Sequence, residues 1–326
     1  MVGSSVVHIV FLFLYEHCVI QPSSWSSKMY EKPLRLAIPA LAISLAIAGT
    51  AQAASVSVVD DAGRTVTLTA PAERVVALAP HAVEMLYVIG AGETLVGAIE
   101  GSDYPEAAKA LPRVGSYRGI ALEAVLARTP DLVVTWASGT PRALVERLAA
   151  LGIPIYASEP RRLAQVAENL RELGRLTGQA EAGETMADDF TSHLAALHQN
   201  LKNPPRVFYQ LGDNPLTTLA DGHIVTEVIR HCGGEPLFAE SPVLVPQISR
   251  EALLQARPEV ILSASHGEAW KAAWQRWKLL PAVREEHLYT LAPDLINRPG
   301  PRIIEAVEAV CEALNESRAV DWKLRR

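Results

Sequence analysis

Between Arg162 and about Leu201 the chain carries no strand-like run, only helix-forming residues with apolar spacing: LAQVAENLRELGRLTG, then EAGETMADDFTSHLAALHQNL. On both sides of this stretch, short strand-like and helix-like segments alternate. That arrangement admits one architecture, two α/β lobes on either side of a helical connection. Gly178 divides the stretch and Asn203-Pro204-Pro205 ends it, so residues 179–203 are predicted to form one long rigid helix. At 1.5 Å per residue it would extend on the order of 35 Å, enough to join two lobes.

Residues 54–178 make the first lobe. Val56 to Val59 and Thr65 to Thr69 alternate around Asp61-Ala62-Gly63, which predicts a β-hairpin. The apolar run Arg74 to Leu78 is of the kind buried in a parallel sheet, and Val83 to Ile89 follows with helical spacing. Leu95 to Ile99, Leu132 to Thr135, a helix from Pro141 to Leu151, and Ile153 to Tyr156 continue the series. Residues 204–326 make the second lobe: Arg206 to Leu211, Ile224 to Cys232, Glu251 to Ala256, Val260 to Leu262, Trp270 to Leu279, Leu288 to Leu291 and Arg302 to Leu314. The fold class is α/β, with two Rossmann-like lobes, each holding a parallel sheet. One internal match relates them. Residues 123–134, EAVLARTPDLVV, align without a gap to residues 251–262, EALLQARPEVIL, placing Glu123 and Glu251 in the first turn of equivalent helices.

The front of the chain reads as a targeting segment. From Met29, Lys32 and Arg35 form a basic start, Leu36 to Ala48 an apolar run shorter than a membrane span, and Ala51-Gln52-Ala53 a cleavage signal. Residues 29–53 are therefore a predicted signal peptide cleaved after Ala53. Residues 1–28 have no place before a complete signal and read as a mis-assigned start, with Met29 the true first residue. Cys18 leaves with the leader, and Cys232 and Cys311 remain in an oxidising compartment, where a disulfide is the default.

The net charge of -6, with no basic block, argues against a nucleic-acid surface. No G-x-S-x-G, H-E-x-x-H, C-x-x-C or Walker loop is present, so nothing points to catalysis or to a cofactor. His81-x-x-Glu84 shares one helical face but reads better as the start of a helix than as a metal site, and the nine His are dispersed. Trp270, Trp274 and Trp277 are predicted on one helix face, as core, with Trp277 the most structural. Tyr117 and Trp136 fall beside a Gly-containing turn and at a strand's C-terminal end, where parallel sheets bind ligands.

RVVALAPHAVEML, SDYP, the Gly119 to Glu123 segment, PDLVVTW, LGIP, CGGEPLF, PQISRE and RPGPRIIEAVEAVCEAL together cover nearly all of residues 73–315. In these motifs the chain resembles the substrate-binding proteins of ABC importers, in the helical-backbone class (class III) of periplasmic binding proteins, and within it the cobalamin branch. The resemblance implies a monomeric periplasmic receptor that takes cobalamin (vitamin B12) between its lobes and delivers it to the permease and ATPase complex at the inner membrane. It implies permease docking through Glu123 and Glu251, and a disulfide between Cys232 and Cys311. Tyr117 and Trp136 would line the ligand cleft, with the loop Asp294, Leu295, Ile296, Asn297 and Arg298; Gly101, Thr217 and Val245 stand where the branch has aromatics. With those aromatics gone, the same receptor fold for haem or a ferric siderophore is the alternative, with His81 or Tyr117 as iron ligand. An exported hydrolase is the remote one, since no nucleophile lies near a base. The connecting helix implies only modest lobe motion.

Overall fold

The β-branched runs identified above become two four-stranded parallel sheets in the protein's structure, a computed structural model that describes residues 55–324. The predicted leader, its cleavage site and the early start lie outside these residues. The chain opens with an antiparallel hairpin, β1 (Val56–Val59) and β2 (Thr65–Leu68), in the predicted place. The first lobe continues β3 (Val75–Ala77), α1 (Pro80–Val88), β4 (Leu95–Ala98), a small hairpin β5 (Gly115–Ser116) and β6 (Gly119–Ile120), α2 (Leu122–Leu126), β7 (Leu132–Trp136), α3 (Arg142–Ala150) and β8 (Ile155–Ser158). Its parallel sheet has the order β4-β3-β7-β8.

Two helices follow, α4 (Leu163–Leu176) and α5 (Ala180–Leu197). The second lobe runs β9 (Arg206–Gln210), the hairpin β10 (Gly212–Asp213) and β11 (Leu216–Thr217), α6 (Ile224–His231), β12 (Glu235–Pro236), α7 (Arg250–Ala256), β13 (Val260–Ala264), α8 (Pro281–Arg284), β14 (Leu288–Leu291), α9 (Pro293–Ile296) and α10 (Ile303–Leu324). Its parallel sheet has the order β12-β9-β13-β14. In both sheets the first strand pairs with the second on one side and the third on the other, with the fourth outermost. The internal sequence match therefore falls on equivalent units, α2-β7 and α7-β13.

The connection is shorter than predicted. α5 stops at Leu197, about 27 Å long at 1.5 Å per residue, because His198 turns extended and the Gln199 amide donates to the His231 carbonyl at 3.0 Å instead. Helices α4 and α5 meet backbone to backbone. A Cβ on Gly174 would lie 2.8 Å from the Gln179 carbonyl oxygen, and one on Gly183 2.7 Å from that of Leu170, so only glycine permits this crossing. At its far end α5 engages the second lobe: His193 pairs with Glu308 of α10 at 2.8 Å, and His231 Nε2 donates to the Leu194 carbonyl at 2.8 Å. Cys232 at the end of α6 and Cys311 on α10 form a disulfide.

The tryptophans need a second correction. Ala269–Trp274 is a 3-10 helix, so Trp270 and Trp274 lie about 120° apart around it rather than about 40°. Each indole is held by a different strand: Trp274 Nε1 donates to Gln210 Oε1 (2.7 Å), Trp270 Nε1 to Thr290 Oγ1 (2.9 Å). All three pack on the Phe208, Ile261 and Leu288 cluster, as core, with Trp274 rather than Trp277 the buried one.

Candidate functional site

Strand direction decides where a ligand can sit. In each sheet the four strands run the same way, and the loops leaving their C-terminal ends form the ligand-accessible edge of such a sheet. In the first lobe β4 runs out through Ile99 to Tyr104, and β7 ends on Trp136; in the second, β9 runs into Leu211, and β14 into α9 and the RPGPR segment. These two edges meet. Arg298 Nη1 donates to Asp103 Oδ1 at 2.7 Å and lies 3.4 Å from Glu84 Oε1, while its Nη2 donates to Asp294 at 2.9 Å. Arg302 holds Glu84 bidentately, Nε to Oε2 at 2.9 Å and Nη2 to Oε1 at 2.6 Å, and its guanidinium stacks on Tyr104, 3.8 Å from the ring centre. Glu84 and Asp103 belong to the first lobe, both arginines to the second, so this cluster joins the C-terminal edges of the two sheets on the α1 side.

On the first-lobe side, Trp136 is 41% exposed at the end of β7. Its ring lies on the Ala137-Ser138-Gly139 turn: a Cβ at Gly139 would stand 2.2 Å from Trp136 Cε3. Thr140 Oγ1 accepts from the Trp136 amide at 3.0 Å and fixes the same turn. Tyr117, at the tip of the β5-β6 hairpin, is 85% exposed, and its hydroxyl accepts from Arg118 Nε at 3.1 Å. Gly101 is exposed, with φ +84°. On the other side Thr217 is half-buried in β11 and bridges to Gln247. Val245 belongs to an exposed aliphatic run with Val243 and Leu244, and Leu211 is exposed as well. Apolar surface is thus present on this lobe, with aliphatic rather than aromatic side chains.

The 294–298 loop divides. Asp294 and Arg298 join the ion cluster, and Asn297 Oδ1 accepts from the Tyr209 hydroxyl at 3.3 Å. Leu295 is half-buried against the core, and Ile296 lies wholly within it. His81 is buried too. Ser158 Oγ donates to Asn169 Oδ1 at 2.5 Å, so the 2.9 Å contact between His81 Nε2 and Ser158 Oγ is an N–H donated by the imidazole. Burial lowers the His81 pKa to about 4, which leaves the ring neutral at neutral pH. His81 is thus 3% exposed with its Nε2 committed to Ser158. Among the described residues no group of three His, Cys, Asp or Glu is placed to hold a metal ion.

Three residues of the ion cluster are not assigned to the site by the sequence, Asp103, Tyr104 and Arg302, and Glu84 reads there only as the start of a helix. Arg298 and Arg302, four apart in RPGPR, carry a signal of paired cations, but the partners that join them to the first lobe, Asp103 and Glu84, lie about 200 residues away in sequence. Glu123 and Glu251 are exposed in the first turns of α2 and α7, equivalent places on the two lobes, and neither has an ion-pair partner among the described residues.

The chain's similarity to known proteins follows the same two lobes. A family model described as periplasmic binding protein matches residues 75–295. A vitamin B12-binding protein of Vibrio cholerae is 41% identical over 247 residues, covering 75% of this chain and 90% of the relative; that of Vibrio vulnificus is 39% identical over 246 residues, covering 74% and 90%. Among solved structures, the periplasmic vitamin B12 binding protein BtuF of Vibrio cholerae superposes with a TM-score of 0.70 at 40% identity, covering 76% of this chain and 98% of that one. The periplasmic heme-binding protein RhuT from Roseiflexus sp. RS-1 superposes with a TM-score of 0.67 at 25% identity, covering 75% and 98%.

Proposed function

This chain belongs to the periplasmic binding protein family, whose members are solute receptors rather than enzymes, and from that premise we propose that it captures a corrinoid, cobalamin, between its lobes and hands it to an ABC permease. The observation that carries the choice of ligand is the identity of 41% over 247 residues with a vitamin B12 receptor, against 25% with a haem receptor of nearly the same fold. The charge at the cleft agrees. Arg298 and Arg302 are already balanced by Glu84, Asp103 and Asp294, so the cluster holds no spare cation for haem propionates or siderophore carboxylates. An amide-fringed corrinoid asks instead for apolar area and hydrogen bonds. Trp136 and Tyr117 supply aromatic faces, and the Leu211 and Val243–Val245 surface supplies aliphatic area. Calorimetric titration with cyanocobalamin against hemin is the test: saturable binding of cyanocobalamin with none of hemin is expected, and the reverse order would refute the reading.

Delivery follows from the exposed carboxylates. Glu123 and Glu251, one per lobe and without an ion-pair partner among the described residues, are the docking charges for basic residues of the permease, where rim charges set register and encounter rate. The Glu123→Ala, Glu251→Ala double variant is expected to lose transport while binding cyanocobalamin as before; loss of ligand binding in the folded variant would sink the assignment. Export by the Met29–Ala53 segment would place this receptor in the periplasm, with lobes 54–178 and 204–326 on either side of the connecting helix.

A further inference from the structure

Two helices of the second lobe carry side-chain caps of different chemistry. Ser249 caps α7, its hydroxyl accepting from the Ala252 amide at 3.0 Å. His223 caps α6: its Nδ1 accepts from the Val225 amide at 3.2 Å, while its carbonyl accepts from the Thr226 amide at 3.1 Å and the Thr226 hydroxyl at 2.7 Å. Serine is among the preferred residues at such a position and histidine is not. A backbone amide only donates, so Nδ1 presents its lone pair and the ring is the neutral form with its proton on Nε2. The imidazolium bears a proton on both nitrogens and cannot make this cap.

The cap adjoins the aliphatic surface of the cleft. Residues 218–222, just before it, are bonded to that surface: the Thr218 amide donates to the Pro246 carbonyl at 3.2 Å, the Ala220 amide to the Leu244 carbonyl at 2.9 Å, and the Asp221 amide to the Ala239 carbonyl at 2.8 Å. Val243, Leu244 and Val245 thus hang on a segment whose far end His223 fixes. Helix α6 also meets the first lobe, where Glu227 accepts from the Leu163 amide at 2.7 Å. The charged groups facing the ring are Glu159 and Arg161 of the first lobe, paired with each other at 3.6 Å. On its own side Asp221 is held by Arg230, and Glu240, next to Ala239, is exposed. Burial lowers the His223 pKa from its ordinary value of about 6.5, Glu159 opposes this and Arg161 reinforces it. The ring is half-buried, so protons reach it from solvent.

We propose that His223 is a positioning residue for the corrinoid cleft: its neutral Nδ1 fixes the start of α6 and, through it, the Val243–Val245 surface, and protonation of the ring releases both, so that the receptor loosens its ligand in acid. The ligand named here rests on the reading under Proposed function; the positioning is a property of the ligand-free protein. The cap is complete above about pH 6.5 and is lost as pH falls through the lowered folded value. A cap of this kind shifts an equilibrium by about twofold to thirtyfold.

Nitrogen-15 NMR of the ligand-free mature receptor between about pH 5 and 8 reads the cap directly. The Nε2–H form of His223 is expected at the upper end. Below its midpoint the Ala220 and Val225 amides are expected to exchange with water at least about threefold faster than intrinsic exchange at that pH accounts for. His223→Ser, a cap that does not titrate, should keep both amides protected throughout, and His223→Ala should expose them even at the upper end. Calorimetric titration with cyanocobalamin should run in step: the parent weakens at least about threefold across the range, the serine variant matches the parent at the upper end and lacks that fall, and the alanine variant is weaker from the start. An Nδ1–H tautomer of His223, an unchanged Ala220 amide in His223→Ala, or a serine variant that keeps the parent's fall would overturn the proposal. Absence of cyanocobalamin binding would refute the ligand reading alone, because amide exchange still decides the role of His223.

Discussion

Glu84→Ala tests whether the lobes are held together by charge. The Glu84 side chain is 2% exposed and accepts two hydrogen bonds from Arg302, which is itself 19% exposed. Removing one partner of a buried ion pair costs about 3–5 kcal/mol, because the other charge is left desolvated. Arg302 keeps some access to water and the face of Tyr104, so the lower end, about 3 kcal/mol, applies. For a chain of this size that lowers the melting temperature by about 6–12 °C. Urea unfolding followed by tryptophan fluorescence, alongside thermal melting, reads both numbers. Glu84→Met with Arg302→Met exchanges the pair for apolar side chains of similar length and is expected to recover most of the loss, since such replacements are often neutral. A Glu84→Ala variant within about 0.5 kcal/mol of the parent, the range of an ordinary surface change, would refute the reasoning. So would strict additivity of Glu84→Ala and Arg302→Ala, because residues in one ion pair should couple.

Trp136→Ala should weaken cyanocobalamin binding by about 1–3 kcal/mol with little change in melting, as lost aromatic burial predicts; Gly139→Ala, which drives a methyl into the indole, should weaken it too, measured by calorimetry. Reducing the Cys232–Cys311 bridge opens a 79-residue loop, and the chain-entropy relation puts the loss at about 4.5 kcal/mol, to be read as a fall in melting temperature with dithiothreitol. His81 titrates at about 4 when folded, below its ordinary value of about 6.5, so protons favour the unfolded chain. The stability contribution is complete above about pH 6.5 and is lost as pH falls toward 4, by about 3 kcal/mol at most. His81→Gln should therefore show a shallower acid limb in denaturation midpoints across that window.

What the sequence discloses here is local, and what it hides is distant. Val75 to Ala77 and Val260 to Leu262 are strands that their own β-branched runs declare, and the Pro-centred match between residues 123–134 and 251–262 exposed the duplicated lobes because each unit is contiguous. The exposure of Trp136 and Tyr117 is legible from their places at a strand end and in a turn. The charge cluster was not, because Glu84 meets Arg302 across 218 positions and only the facing of two sheets joins them. The burial of His81 is hidden for the same reason: Ser158 and Asn169, which form the hydrogen-bond chain at its Nε2, sit on β8 and α4. The run from Trp270 to Trp277 has helical spacing, yet two indoles are claimed by β9 and β14 partners, and tertiary hydrogen bonds override the local pattern.

The glycine crossing of α4 and α5 bears on kinetics. At the crossing itself the two backbones touch, at Gly174 and Gly183, with side-chain contacts such as Arg171 to Glu184 and Asp188 on its flank. A strut crossed this tightly resists hinge bending at that point, so stopped-flow mixing with cyanocobalamin is expected to show a single association phase linear in ligand concentration, with no slow closing step. On the proposed function, differences in affinity among corrinoids are then expected in dissociation rates.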